Sequence, residues 1–265
     1  MAPLGSVIIK KTFELLLVQI VNLSYYNIKI LKDSYPKFKL TRKMPKYKSV
    51  LFDLDGTLLH TAKDIMAACN YTLNKFNYKT LDESILIKKV TAGMREMLKL
   101  SVPKEEWELA GVETTMRDCF AQYYTSHIDV YTRPFDGISE LMAELKSQKI
   151  KTAVITNKYE YMAKKILGKF SEFNDLSLIL GCDSLTHSKP HPEPLLKAAS
   201  LLNLHPEECI YVGDHKNDIL AARAAHMDSI VALWGYGIYE CEDVKTWGTT
   251  LMAKDVNALK SLIFA

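Results

Sequence analysis

A chain of 265 residues, 48% of them hydrophobic, is long enough to bury one full core and a smaller appendage. Its net charge of +3 is unevenly held: residues 1–43 carry eight Lys and Arg against Glu14 and Asp33, whereas residues 44–265 carry 26 against 29 acidic residues. A mildly acidic body argues against a nucleic-acid groove there, and no apolar run approaches the ~20 residues that cross a bilayer.

Val7-Ile8-Ile9 and Leu15-Leu16-Leu17-Val18 are interrupted by Lys10, Lys11, Glu14 and Gln19, and no small-residue cleavage site follows them. Residues 1–43 are therefore expected as a basic N-terminal extension, mobile or loosely docked, with Met44 reading as an alternative start. Five cysteines (Cys69, Cys119, Cys182, Cys209, Cys241) lack any CxxC spacing and fit reduced thiols in a cytoplasmic protein.

The first predicted strand is Tyr47–Phe52, bounded by charge before and glycine after. Four similar apolar runs follow, at Lys151–Ile155, Ser177–Leu180, Cys209–Val212 and Ser229–Leu233. Helical spacing lies between them. Ile138, Leu141, Met142 and Leu145 share one face, as do Leu195, Leu196, Ala199 and Leu202, and Ile219, Leu220, Ala222 and Ala225. A last helix is predicted over Asp255–Ile263. Strands alternating with helices imply a parallel sheet covered on both faces, with ligands beyond the carboxyl ends of its strands.

The gap between the first two strands is too long for a crossover helix. Residues 61–131 are expected as an inserted helical cap, interrupting a core of 44–60 and 132–265. Its periodic apolar positions are Ile65, Ala68, Cys69, Thr72 and Leu73, then Ile85, Ile87 and Val90, then Met94, Met97 and Leu98, then Trp107, Met116, Phe120, Tyr123 and Tyr124. The return hinge is expected at Tyr131–Gly137.

Asp53 and Asp55 end the first strand and run into Gly56-Thr57. A strand cannot satisfy two carboxylates within a core, so each needs a cation, a donor or a reaction. A bound divalent metal, with one carboxylate left to attack an electrophile, answers that need. Three other strand ends carry matching groups: Thr156-Asn157, Ser188-Lys189-Pro190-His191-Pro192-Glu193-Pro194, and Gly213-Asp214 with Asp218. Each has a plainer reading alone. Asp-x-Asp-Gly resembles a calcium loop, but Leu58 and Asp64 stand where an EF-hand needs Gly and Glu. Thr156-Asn157 could be a turn, Lys189 a surface lysine between prolines, and Asp214 a helix cap.

In order and spacing the four segments resemble the motifs of the haloacid dehalogenase-like phosphatase superfamily. The stretches Val154–Lys158, Lys189–Leu196 and Tyr211–Ala222 are similar to its phosphoglycolate phosphatase branch. The resemblance implies an α/β fold, a Rossmann-like doubly wound parallel sheet with an inserted helical cap. It implies a Mg²⁺-dependent phosphomonoester hydrolase acting through an aspartyl-phosphate. Asp53 would be the nucleophile and Asp55 the acid and base. Gly56, Thr156, Asn157 and Lys189 would hold the phosphoryl group, and Asp53, Asp214 and the carbonyl of Asp55 the metal, with Asp218 behind them.

Substrate choice belongs to the cap, where Arg95 is a candidate for a substrate carboxylate and Arg133 at the hinge a second. The expected partner is a small phosphorylated metabolite, best 2-phosphoglycolate, with no nucleic acid and no integral membrane segment, the chain being a monomer or homodimer. A nucleotide or pyrophosphate hydrolase, a phosphosugar mutase, or a non-catalytic metabolite sensor are the alternatives on this scaffold. His60 departs from the aspartate usual after the first motif, and Trp234-Gly235-Tyr236-Gly237 is expected as a sharp loop near the site.

Overall fold

The computed structural model describes residues 46–240, 243–249 and 251–265. The expectation for residues 1–43 and the thiol of Cys241 lie outside them. Strand β1 (Ser49–Phe52) is followed by β2 (Leu59–His60), then α1 (Ala62–Lys75), α2 (Glu83–Leu86), α3 (Met94–Leu98), α4 (Trp107–Ala110), α5 (Thr115–Ser126) and β3 (Arg133–Pro134). Next come α6 (Ile138–Ser147), β4 (Lys151–Ile155), α7 (Glu160–Leu167), β5 (Leu178–Leu180), α8 (Glu193–Leu201) and β6 (Cys209–Gly213). The chain continues through α9 (Lys216–Ala224), β7 (Asp228–Ala232), α10 (Gly237–Glu240), β8 (Leu251–Ala253) and α11 (Val256–Ile263).

Six strands form one parallel sheet in the order β5-β4-β1-β6-β7-β8. Side chains alternate along each strand, and here both faces are buried. Val50, Phe52, Val154, Ile210 and Val212 join the core formed with α6, α7 and α11. Leu51, Ala153, Ile155 and Tyr211 point to the opposite core, against α8 and α9. Burying each such Leu, Ile or Phe contributes roughly 1.5–3 kcal/mol. The strand order reverses about β1, which is where such sheets open a crevice.

Two expected positions are corrected. Leu196 is exposed, and Ala198 takes its place beside Leu195 and Ala199 because α8 presents a narrower stripe to the sheet. Ile85 is likewise exposed, with Leu86 fully buried instead, because the short α2 turns that residue inward. The edge strand β8 was not among the predicted strands. The final helix starts one residue late, at Val256, because Asp255 caps it by accepting from the Ala258 N–H at 2.8 Å.

The helical insertion leaves and rejoins the sheet domain through β2 and β3, which pair antiparallel, Leu59 with Pro134 and His60 with Arg133. Its core is α1 against α5, with Ala68, Cys69 and Leu73 buried among Met116, Phe120 and Tyr124. Buried Asp64, in the first turn of α1, binds the returning chain: it accepts from the Thr132 N–H at 2.8 Å, the Thr132 hydroxyl at 2.7 Å and the Tyr131 N–H at 3.1 Å. No helix among the described residues is long and apolar enough to cross a membrane.

Candidate active site

Strand β1 delivers Asp53 to the rim of the sheet, where its N–H extends the ladder to the Val212 carbonyl at 2.8 Å. Its carboxylate meets the Lys189 ammonium, Nζ to Oδ1 2.7 Å. Lys189 is only 4% exposed and spends its donors on three partners at 2.7 Å: Asp53 Oδ1, Asp218 Oδ1 and the Tyr211 hydroxyl. Tyr211 in turn donates to the Ile155 carbonyl at 2.7 Å. Burial disfavours the Lys189 charge, but Asp218 and Asp53 more than offset it and hold the ammonium above its ordinary range. Burial also pushes Asp53 up to about 6, against the pull of Lys189.

Asp214 follows β6 directly and is fully buried. Its Oδ2 accepts the N–H groups of Tyr236 and Gly237, each at 2.9 Å, and Oδ1 accepts the Thr57 hydroxyl at 3.2 Å. The loop before α10 thus serves as a backbone cradle, while its aromatics bond elsewhere: Trp234 Nε1 donates to the Thr57 carbonyl at 3.1 Å, and the Tyr236 hydroxyl to the Leu59 carbonyl at 3.1 Å. Gly56, expected to let the backbone bend close to the phosphoryl group, donates its N–H to the Leu59 carbonyl at 3.0 Å. Packing gives a further reason for glycine there. Its φ is +88°, and a Cβ there would stand 2.3 Å from Asp214 Oδ2.

Carboxylate oxygens of Asp53, Asp214 and Asp218 lie within 4.8 Å of one another, all buried. Burial first, then Asp53 and Asp218, push the Asp214 carboxyl well above its usual range. Three carboxylates thus face one ammonium, Lys189. Such a hard-oxygen set with excess negative charge fits a divalent cation. Asp218 also steadies its own helix, accepting the His215 N–H at 3.0 Å, so its position is fixed from two sides.

On the β4 side, Thr156 is 4% exposed and its hydroxyl accepts the Lys158 N–H at 3.2 Å. Asn157 brackets Lys189: its Nδ2 donates to the Lys189 carbonyl at 2.9 Å, and its Oδ1 accepts the Lys189 N–H at 3.1 Å. Asp55 is gripped by Lys158, with Nζ 2.9 Å from both carboxylate oxygens. Lys158 sits over the Tyr124 ring of α5, 4.5 Å from its centroid. Sequence reasoning gave no role to Lys158, Tyr211 or Tyr124. Lys158 does follow Thr156-Asn157 directly, which is a signal.

These groups line one cavity of about 620 Å³ between the sheet rim and the cap. Asp53, Asp55, Thr156, Asn157, Lys189, Asp214 and Asp218 all reach it, as does Arg95. Arg95 is drawn to Glu113 at 3.0 Å on an exposed surface, and Arg117, also on the cavity wall, to Asp118 at 2.9 Å. Arg133 is a correction. It does not line the cavity, because its guanidinium is turned back to the carbonyls of Thr132 at 2.5 Å and Asp129 at 3.3 Å. His60 is exposed and packs beside Phe135, ring centroids 5.3 Å apart.

The family model described as haloacid dehalogenase-like hydrolase matches residues 50–232. A phosphoglycolate phosphatase of Xylella fastidiosa is 35% identical over 80% of this chain and 91% of its own length. One from Aquifex aeolicus is 36% identical over 71% of this chain and 85% of its own. The solved structure of a predicted phosphoglycolate phosphatase from Haemophilus somnus superposes with a TM-score of 0.74 at 24% identity, covering 83% of this chain and 99% of that one, a match of fold. With its model spanning the sheet and the insertion alike, the chain belongs to the haloacid dehalogenase-like hydrolase family, within its phosphoglycolate phosphatase-like branch.

Proposed function

We propose that the protein hydrolyses phosphomonoesters through a phosphorylated Asp53, with 2-phosphoglycolate as substrate. The observation that carries this is the Lys189 ammonium bridging Asp53 and Asp218 at 2.7 Å beside buried Asp214. Lys189 holds the Asp53 carboxylate in one orientation and offers positive charge where a phosphoryl dianion would otherwise be repelled. Asp53 attacks phosphorus, and the P–O bond to the alcohol breaks as Asp55 gives that oxygen a proton. Asp55, now the carboxylate, takes a proton from water, which attacks phosphorus and frees Asp53 and inorganic phosphate. Thr156 and the backbone at Asn157 hold the phosphoryl oxygens.

Mg²⁺ would be held by Asp53, Asp214 and the main-chain carbonyl of Asp55, and when bound it supplies positive charge against the phosphoryl oxygens. The insertion of residues 61–131 acts as a cap that excludes water from the cavity. Arg95 on its rim draws the anion inward. The free thiols of Cys69, Cys119, Cys182 and Cys209 support a cytoplasmic setting.

Phosphate release from 2-phosphoglycolate, a nucleotide, pyrophosphate and a sugar phosphate, with and without Mg²⁺, tests the reading. Turnover is expected to need Mg²⁺, to favour 2-phosphoglycolate and to vanish in Asp53→Asn. Turnover persisting in Asp53→Asn overturns the chemistry. A preference for another substrate overturns only that assignment.

A further inference from the structure

Lys158 is the second buried ammonium of the cavity, and the catalytic scheme leaves it without a task. Its side chain is 7% exposed, against 20% for Asp55, the one carboxylate it binds. Two of its three N–H donors go to Asp55, Nζ to Oδ1 and Oδ2 both 2.9 Å. The third faces the ring of Tyr124, 4.5 Å away at the centroid, an aromatic seat that stabilises a cation without fixing its direction. Burial works against the Lys158 charge, but Asp55 more than offsets it, so the group remains an ammonium. The Tyr124 residue is 2% exposed, and its hydroxyl is buried beside the Lys158 ammonium. Burial pushes that hydroxyl up to about 12, so it stays a donor. Asp55, Tyr124 and Lys158 all line the same cavity.

We propose that Lys158 and Tyr124 form the specificity subsite for the leaving group, taking a second anionic group, a carboxylate or a further phosphate, on the alcohol part of the substrate. This rests on the phosphatase reading of the same cavity. Lys158 stands two residues beyond Thr156, so an anion a few atoms from the phosphoryl group meets it. An incoming anion that takes the place of Asp55 keeps the buried ammonium paired, and the exchange frees the Asp55 carboxyl from Lys158. A substrate without the second anion leaves Asp55 clamped. Arg95 and Arg117 are poorer discriminators, since both ion pairs are solvent-exposed.

The test compares kcat/KM for 2-phosphoglycolate with that for ethyl phosphate, which replaces the carboxylate by a methyl group, and with that for a bisphosphate of matching length. Lys158→Met is expected to lower the 2-phosphoglycolate to ethyl phosphate ratio about 10- to 100-fold, the effect of losing one charge-assisted bond. Lys158→Arg retains the ratio within about threefold, and Tyr124→Phe, which keeps the ring, lowers it about 3- to 10-fold. The bisphosphate arm tells a carboxylate subsite from a phosphate one. A ratio unmoved by Lys158→Met, or both esters lost in proportion, overturns the proposal. Should Lys158→Met be inactive on both, calorimetric binding of 2-phosphoglycolate to the folded variant decides: unweakened binding overturns the subsite, and binding weakened tenfold or more, rescued in Lys158→Arg, supports it. A wild-type protein that hydrolyses neither ester, nor the nucleotide, pyrophosphate and sugar phosphate, sinks the phosphatase reading, and the subsite with it. An active one indifferent to the second anion sinks the subsite alone.

Discussion

Asp53→Asn should gain stability relative to the parent, in the metal-free protein, as pH rises. Burial raises the Asp53 carboxyl from its ordinary 3.8 to about 6, with Lys189 opposing the rise. A carboxyl that binds its proton more tightly when folded makes the native state lose stability as pH climbs from 3.8 to 6, at 1.36 kcal/mol per pH unit, about 3 kcal/mol in all. Asparagine carries no such titration. The pull of Lys189 is already counted in that net shift, and Lys189 keeps Asp218 and Tyr211 at 2.7 Å in the variant. Asp214 acts in the same sense, since part of its own upward shift comes from Asp53. Thermal unfolding of both proteins in chelator at pH 4.5, 6 and 7.5 is the assay. Of the total, about 2 kcal/mol falls between pH 4.5 and 6, which widens the Tm difference in favour of Asp53→Asn by about 4–8 °C. A difference that stays constant, or narrows as pH rises, refutes the claim that burial outweighs the lysine at this carboxylate.

Other substitutions have defined outcomes. Tyr211→Phe keeps the buried ring but strips a partner from Lys189 and from the Ile155 carbonyl, so it should lose about 1–3 kcal/mol in urea unfolding and lower kcat more than it raises KM. Asp64→Ala leaves the Tyr131 and Thr132 N–H groups unpaired and should cost about 2–4 kcal/mol, seen as faster proteolysis at the two junctions of the insertion. Gly56→Ala drives a Cβ into Asp214 and should weaken Mg²⁺ activation about 10- to 100-fold in a metal titration of turnover.

Carboxylates at the ends of apolar runs are written into the sequence because nothing in a strand explains them. For that reason Asp53 and Asp55 stand out from residue order alone, whereas Thr156, Lys189, Asp214 and Asp218, each with a plainer reading by itself, take their roles from the family resemblance of the four segments together. The remaining contacts are tertiary. Tyr211 reads as one more apolar residue of a core strand until its hydroxyl is seen between Lys189 and Ile155. Lys158 reads as a turn lysine and Tyr124 as cap packing, because the link between them exists only once the insertion folds back over the sheet. Arg133 failed for a similar reason: the carbonyls of Asp129, Val130 and Thr132, just before it in the chain, capture it. Leu251-Met252-Ala253 is too short to register as a strand by pattern, and it forms because β7 offers it an open edge.

Asp64 has a bearing on how this molecule can be recombined. One carboxylate in the first turn of α1 ties the outgoing chain to the incoming one, next to the two-residue ladder of Leu59–His60 with Arg133–Pro134. The two ends of the insertion are therefore fastened to each other by this clasp, as a locket is at its hinge. A transplant that takes Asp64 together with Tyr131 and Thr132 moves the clasp intact, and a splice between them opens it.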